Sequence, residues 1–182
     1  MRCTRCQTEF CWLCLSPLHS YLEAHVCSRY EASGAADDGF EKRALFAVTR
    51  YQAHGAAAGF AGNQMRNFDP ERFLETFWFL EECDDPAATM ARALEALVAG
   101  REFLKHSHVR MLFRNDGESA RLQEDHHACL EVVVERLSRL TEINLHDHYA
   151  RRGRTGIRLH VRKLAFYAVC VARYTERIAR LE

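Results

Sequence analysis

The chain has few prolines, no net charge and no long apolar run. Only three prolines occur in 182 residues, and two of them fall where helices would begin. Lysine plus arginine and aspartate plus glutamate both number 25, so overall charge does not draw the chain to nucleic acid or to a membrane. No apolar run approaches the roughly 20 residues that span a bilayer, and the first residues do not resemble a signal peptide. We therefore expect a protein of the cytosol or nucleus, where cysteines stay reduced.

The eight cysteines are unevenly placed, with five in the first 27 residues. A disulfide scaffold would spread its cysteines over the fold, whereas two C-x-x-C pairs close together indicate a metal site. So short a segment also has too little core to fold without such a staple. The other three cysteines, Cys83, Cys129 and Cys170, are isolated in apolar helical patterns and are predicted to be ordinary core residues.

The pair formed by Cys11 and Cys14 has the spacing of a zinc knuckle, and Cys27 supplies a third thiolate. The fourth ligand of a tetrahedral zinc ion must be a nearby histidine. We favour His19, because the single residue between His25 and Cys27 leaves little room for both to reach one ion. His25 remains the alternative ligand.

Cys3 and Cys6 form a second pair that lacks a partner pair within the chain. Two further ligands would have to come from residues before Met1 or from another chain, so this second zinc site is incomplete. A redox role for a C-x-x-C motif is the other reading, but no βαβ pattern accompanies it.

The composition divides the chain into three parts. Residues 1–31 are rich in cysteine and aromatic residues, residues 32–39 (ASGAADDG) have the composition of a linker, and residues 40–182 show helical spacing. Asp69-Pro70 and Asp85-Pro86 each predict a helix start, with aspartate as the N-cap and proline at the first helical position. No stretch of the third part alternates like a strand. The prediction is a mainly all-α protein, with a helical bundle preceded by a small zinc-binding knuckle.

Apolar spacing predicts four or five helices, three of them with a defined apolar face. Residues 53–62 also hold three glycines, which predicts a helix that either packs closely through a thin face or kinks. The predicted faces are Met90, Leu94, Leu97, Val98, Leu104 and Met111; Leu122, His126, Cys129, Leu130, Val133, Leu137 and Leu140; and Ile157, Val161, Leu164, Ala168, Val171, Tyr174, Ile178 and Leu181.

The first 31 residues resemble the end of the RING2 (Rcat) module of Ariadne-family RBR (RING-between-RING) E3 ubiquitin ligases. Such modules read C-x-H-M, a cysteine pair, E-F-C-W-x-C-L, then histidine and cysteine, then R-Y. Residues 9–15 (EFCWLCL) match that core throughout, and Arg29-Tyr30 follows Cys27. Aromatic residues interleaved with the second cysteine pair are not a generic zinc-finger feature, so this part of the match is specific.

The helical part is similar to the Ariadne domain of the same family. Arg50-Tyr51-x-x-His54 resembles its first long helix, and residues 130–138 (LEVVVERLS) resemble the L-E-x-x-x-E-x-L-S of a later one. The chain departs from the family at Leu18, where tryptophan is usual, and at Ala61, where an acidic residue is usual. Met1 matches the methionine of C-x-H-M, so the family's catalytic cysteine would precede this chain.

The resemblance implies an enzyme that takes ubiquitin from an E2 thioester onto an Rcat cysteine and passes it to a substrate lysine. That chemistry is nucleophilic catalysis by a thiolate. The implied partners are a ubiquitin-charged E2 and ubiquitin, and the implied cofactor is Zn²⁺. Because the nucleophile would precede Met1, we expect the chain alone to be inactive. It would keep the zinc scaffold and the autoinhibitory domain.

Phe60 and Glu135 match the phenylalanine and glutamate with which the family's Ariadne domain occludes the catalytic cysteine. The plainer readings are a core phenylalanine and a solvated glutamate. A basic run at Arg151, Arg152, Arg154 and Arg158 is either a solvated face or a surface for an acidic partner, which in this family is a neddylated cullin–RING complex. Arginines without interleaved aromatics argue weakly for nucleic acid. The alternative function is a non-catalytic zinc-plus-bundle interaction module.

Overall fold

Five α-helices and one 3₁₀ turn make up the described part of the chain. A computed structural model describes Thr8 and residues 40–80, 85–113 and 118–180, with the main chain alone described for 118–121. Apart from Thr8, the predicted knuckle and its linker lie outside these residues, as does Cys83. Within them no strand occurs, which confirms the all-α prediction. The elements are α1 (Phe40–Arg66), α2 (Pro70–Thr76), a 3₁₀ turn (Trp78–Leu80), α3 (Pro86–Met111), α4 (Glu118–Thr141) and α5 (Leu145–Ala179).

Side chains cap the starts of α2, α3 and α5. The Asp69 carboxylate accepts a hydrogen bond from the backbone N–H of Arg72 at 3.1 Å, and Asp85 accepts one from Ala88 at 2.9 Å. A proline follows each aspartate at the first helical position, as the sequence predicts. The Asn144 side chain caps α5 in the same way. Each cap satisfies a donor that the helix start would otherwise leave open.

Helix α1 buries a face made of small residues. It runs without interruption from Phe40 to Arg66, although glycine is a poor helix former. Ala57, Ala58, Ala61 and Gly62 are buried, and the helix packs mainly on α3. The sequence predicts either a closely packing thin face or a kink for the glycine-rich segment. The structure has the thin face.

Helix α3 lies at the centre of the bundle, in contact with α1, α2, α4 and α5. The apolar faces predicted for α3 and α5 are confirmed at their central positions. Burial of a leucine or isoleucine side chain contributes roughly 1.5–3 kcal/mol, so these positions carry much of the stability. Fully buried members of the core are Leu80, Leu97, Leu104, Leu130, Leu137, Ile157, Leu164 and Ile178.

The face predicted for α4 is wrong by about one position. Leu122 is 49% exposed and Cys129 is exposed, so Cys129 is not the core residue that its apolar surroundings suggest. Cys170 of α5 is half-buried. The helix is rotated because its inward face includes polar side chains, which an apolar pattern does not count. The buried positions are Gln123, His127, Leu130, Glu131, Val134, Leu137 and Ser138.

Helix α5 bends at Gly153, where the backbone has φ 62° and ψ −166°. An L side chain rarely adopts that conformation, so glycine is required at this position. The bend separates Arg151 and Arg152 from Arg154, and so it divides the predicted basic run between two helical segments.

Gly100 marks the closest approach of α3 to α4 and α5. A Cβ atom at this buried position would lie 2.8 Å from Cγ1 of Val171 and 2.9 Å from Cγ2 of Val134. Atoms cannot pack at those distances, so any side chain would push the helices apart.

Gly100→Ala should therefore lower the free energy of unfolding by roughly 1–2 kcal/mol, since overpacking outweighs the gain in helix propensity. Gly59→Ala is the matched control, because a Cβ there meets nothing within 4 Å. The control should raise stability by up to about 1 kcal/mol. Urea unfolding of both variants measures this, and a stabilised Gly100→Ala protein would contradict the packing.

Candidate functional site

Four charged or titratable side chains from three helices meet inside the bundle. His54 comes from α1, Arg101 and His108 from α3, and Glu131 from α4. None is more than 4% exposed. Charged groups so deeply buried are tolerated only when other polar groups satisfy them. Among the described residues, this buried cluster is therefore the candidate functional site.

The Glu131 carboxylate is the centre of the cluster. Its Oε1 lies 3.1 Å from Nε2 of His54 and 2.8 Å from Nε2 of His108. A carboxylate oxygen only accepts, so both imidazoles carry their proton on Nε2 and donate it to Glu131. The two rings stack at 11° with centroids 5.6 Å apart. This single carboxylate oxygen, supplied by α4, therefore links His54 of α1 to His108 of α3.

Arg101 binds the other side of the cluster. Its Nη1 donates to Oε1 of Glu135 at 2.7 Å and lies 3.5 Å from Nδ1 of His54. With the proton on Nε2, Nδ1 of His54 is an acceptor, and the guanidinium is a suitable donor. The His54 ring is thus held between a cation on one nitrogen and a carboxylate on the other.

Helical spacing brings these residues together. Arg101 and His108 are seven residues apart, two turns along one face of α3, and Glu131 and Glu135 are one turn apart on α4. The sequence interpretation includes His54, Glu131 and Glu135 in its motifs but misses Arg101 and His108. Their signal is position, because both continue the apolar stripe of Leu97 and Leu104. A charged residue in such a stripe is buried and needs a partner.

Burial and hydrogen bonding lower the pKa values of both His54 and Glu131, for different reasons. Burial, with smaller effects from the charges of Arg101 and His108, lowers the pKa of His54 to about 4, although its bond to Glu131 opposes this. Burial raises the pKa of Glu131, but the hydrogen bonds from His108 and His54 outweigh it and hold that pKa well below its usual value. At neutral pH the cluster is therefore an ionised glutamate with a neutral His54.

The ligand atoms of His54, His108 and Glu131 lie within 4.8 Å of one another, close enough to hold a metal ion. Two imidazoles and a carboxylate are a donor set found around zinc and iron. A metal-bound histidine normally donates its other ring N–H to an acceptor. Here Nδ1 of His54 faces Arg101, which can only donate. The surroundings therefore favour a hydrogen-bonded cluster, with Oε2 of Glu131 buried and without a hydrogen-bond partner among the described residues.

Of the predicted site residues, the structure describes Phe60, Glu135 and the basic run. The zinc ligands predicted at Cys3, Cys6, Cys11, Cys14, His19 (or His25) and Cys27 lie outside the described residues. Phe60 is 40% exposed on α1. Glu135 is half-buried and bound to Arg101, with 14% of its side chain exposed.

The basic run lies on both sides of the bend in α5. Arg151, Arg152 and Arg154 are exposed and Arg158 is half-buried. The Arg154 guanidinium stacks over Trp78 at 5.2 Å, and Trp78 is 60% exposed. Within the sequence of the run there is no aromatic residue. The fold brings Trp78, in the 3₁₀ turn, against Arg154. Among the described helices, none combines the length and apolarity needed to cross a bilayer.

A scan of the chain against protein-family models finds no match, and a search of curated proteins finds none either. The resemblance to Ariadne-type ligases consequently rests on the motifs named above.

The buried histidines make stability depend on pH. His54 and His160 both have a pKa of about 4 in the folded protein, lowered mainly by burial from 6.5. The unfolded chain binds protons more readily over that interval, so stability is complete above pH 6.5 and falls as the pH approaches 4. The loss should be roughly 3 kcal/mol for each histidine.

Urea unfolding between pH 7 and pH 4 measures this dependence. His54→Gln should reduce the pH dependence of the free energy of unfolding by about one proton, because it removes a histidine that burial keeps neutral in the folded protein. Equal slopes for the wild type and His54→Gln would show that His54 is not held neutral by burial.

Proposed function

We propose that the chain is the C-terminal part of an Ariadne-type RBR E3 ubiquitin ligase, comprising the end of the Rcat zinc module and the helical domain that regulates it. One contact supports this proposal above the rest. Two segments that resemble Ariadne helices, Arg50-Tyr51-x-x-His54 and residues 130–138, meet in the hydrogen bond between His54 and Glu131. Residues chosen for their likeness to one family thus pair in the interior of the bundle.

In this proposal ubiquitin transfer takes two acyl-transfer steps. The Rcat thiolate attacks the E2–ubiquitin thioester and releases the E2 thiolate, and a substrate amine then attacks the new thioester and releases the Rcat thiolate. In the family that the chain resembles, this nucleophile belongs to the C-x-H-M segment, whose methionine Met1 matches. Residues 1–31 would contribute the zinc-bound scaffold, with Cys11, Cys14, Cys27 and a histidine as ligands.

The buried cluster gives the helical domain a rigid regulatory face. Phe60 lies six residues beyond His54 on α1, so the bonds that fix His54 also fix the position of Phe60. Its partly exposed ring is available to contact an Rcat module. The bond of Glu135 to Arg101 gives it a positioning role for the cluster, in addition to the autoinhibitory contact that its motif implies.

The second candidate is a zinc-plus-bundle interaction module without ligase activity. The exposed Trp78 stacked with Arg154 favours it, since tryptophan and arginine are enriched at the centres of protein interfaces. Both candidates require the zinc knuckle, and they differ in whether a ubiquitin-accepting cysteine is present upstream.

Ubiquitin transfer separates the two candidates. The 182-residue chain, mixed with ubiquitin-charged E2, should form no DTT-sensitive ubiquitin adduct. The chain extended by the in-frame codons upstream of Met1 should form one, and should lose it when the cysteine of the upstream C-x-H-M segment is replaced. Cys129→Ser is needed in both proteins, because Cys129 is the exposed thiol of the described helices.

Zinc content provides the structural control for this assay. About one zinc per chain is expected, lost in Cys11→Ser and in His19→Ala and retained in His25→Ala. An adduct on the short chain would contradict the assigned position of the nucleophile. A zinc-binding extended chain that never accepts ubiquitin would favour the interaction module.

A further inference from the structure

Positive charge is concentrated on α5 although the whole chain is neutral. Between Asp147 and Glu176 the helix has no acidic residue and seven basic ones. Such a stretch gives one side of the bundle a positive potential that the net charge conceals.

The outward face of α5 combines these charges with exposed apolar side chains. Leu159, Phe166 and Val169 are 52%, 62% and 50% exposed. Arg162 and Lys163 are exposed between the first two of them. Arg173 is exposed one turn beyond Val169. These six positions lie on one side of the helix, opposite the buried Ile157, Leu164 and Ile178. They are named the α5 face.

Helix α4 extends the α5 face at its edge. Arg136 is exposed and its Nη1 donates a hydrogen bond to the Tyr167 hydroxyl at 3.2 Å. Val132, one turn before Arg136, is 42% exposed. Single exposed apolar residues are ordinary, but several in a row beside charges of one sign indicate an interaction surface.

We propose that the α5 face binds an acidic amphipathic helix of a partner protein. Apolar side chains of the partner helix, such as leucine, would cover Leu159, Phe166 and Val169. Its carboxylates would pair with Arg162, Lys163 and Arg173. This surface does not depend on the proposed ligase function.

Charge complementarity selects this occupant over the others. A second copy in a two-fold dimer would bring one α5 face against another, with like charges opposed. A lipid surface suits helices whose charges flank the apolar stripe, whereas Arg162 lies within it and would enter the apolar phase. Nucleic acid gains little from leucine and valine, which have no ring to stack on a base.

Fluorescence anisotropy with two labelled peptides tests the proposal. One probe is a short helical peptide of glutamate and leucine at heptad spacing, and the other has lysine in place of each glutamate. The acidic peptide should bind and the basic one should not, with affinity falling as salt rises. Phe166→Ser, and Arg162→Glu combined with Lys163→Glu, should each weaken binding by about tenfold or more.

Arg72→Glu is the matched control, since it reverses a charge at an exposed position of α2 and should leave the affinity unchanged. Circular dichroism checks that each variant keeps its helices. Equal binding of the two peptides, or an equal loss in the control, would overturn the proposal. So would binding to phosphatidylserine vesicles or single-stranded DNA, or self-association in sedimentation, that Phe166→Ser abolishes while the acidic peptide fails to bind.

Discussion

The Glu131 carboxylate is the constraint on which the bundle depends. It is an ionised group almost wholly removed from water, and it stays so because His54 and His108 both donate to one of its oxygens. Removing one partner of a buried polar group commonly costs several kcal/mol, because the remaining partner is left unsatisfied. The three helices that supply these residues are therefore held in one arrangement.

That arrangement matters most for α1. Its buried face is made of small residues such as Ala57, Ala58 and Ala61, which allow close approach to α3 but offer little shape to fix a register. The hydrogen bonds of His54 supply the missing specificity, since a shift of α1 along its axis would break the contacts of His54 with Glu131 and Arg101. Small residues thus set the distance between α1 and α3, and the buried cluster sets their alignment.

The sequence predicts local features of this fold better than its interior polar contacts. Asp69 and Asp85 act within one helical turn, so both helix starts could be predicted from adjacent residues. The apolar face of α5 was predictable because nearly all its inward residues are apolar. The orientation of α4 was not, since Gln123, His127 and Glu131 are buried through partners on other helices.

Arg101 and Glu131 are 30 residues apart, and no local pattern shows that they belong to one cluster. Because cysteine usually is buried, the sequence predicts Cys129 in the core, whereas the rotation of α4 exposes it.

The most direct test of the account is the protonation state of the His54 ring, read from its ¹⁵N NMR shifts and couplings at neutral pH. The account predicts a neutral imidazole with its proton on Nε2 and an unprotonated Nδ1, because Nε2 faces Glu131 and Nδ1 faces Arg101. The shifts should persist to about pH 5, since burial holds the pKa of His54 near 4. A ring protonated on both nitrogens, a proton on Nδ1 or shifts typical of a metal-bound imidazole would contradict it.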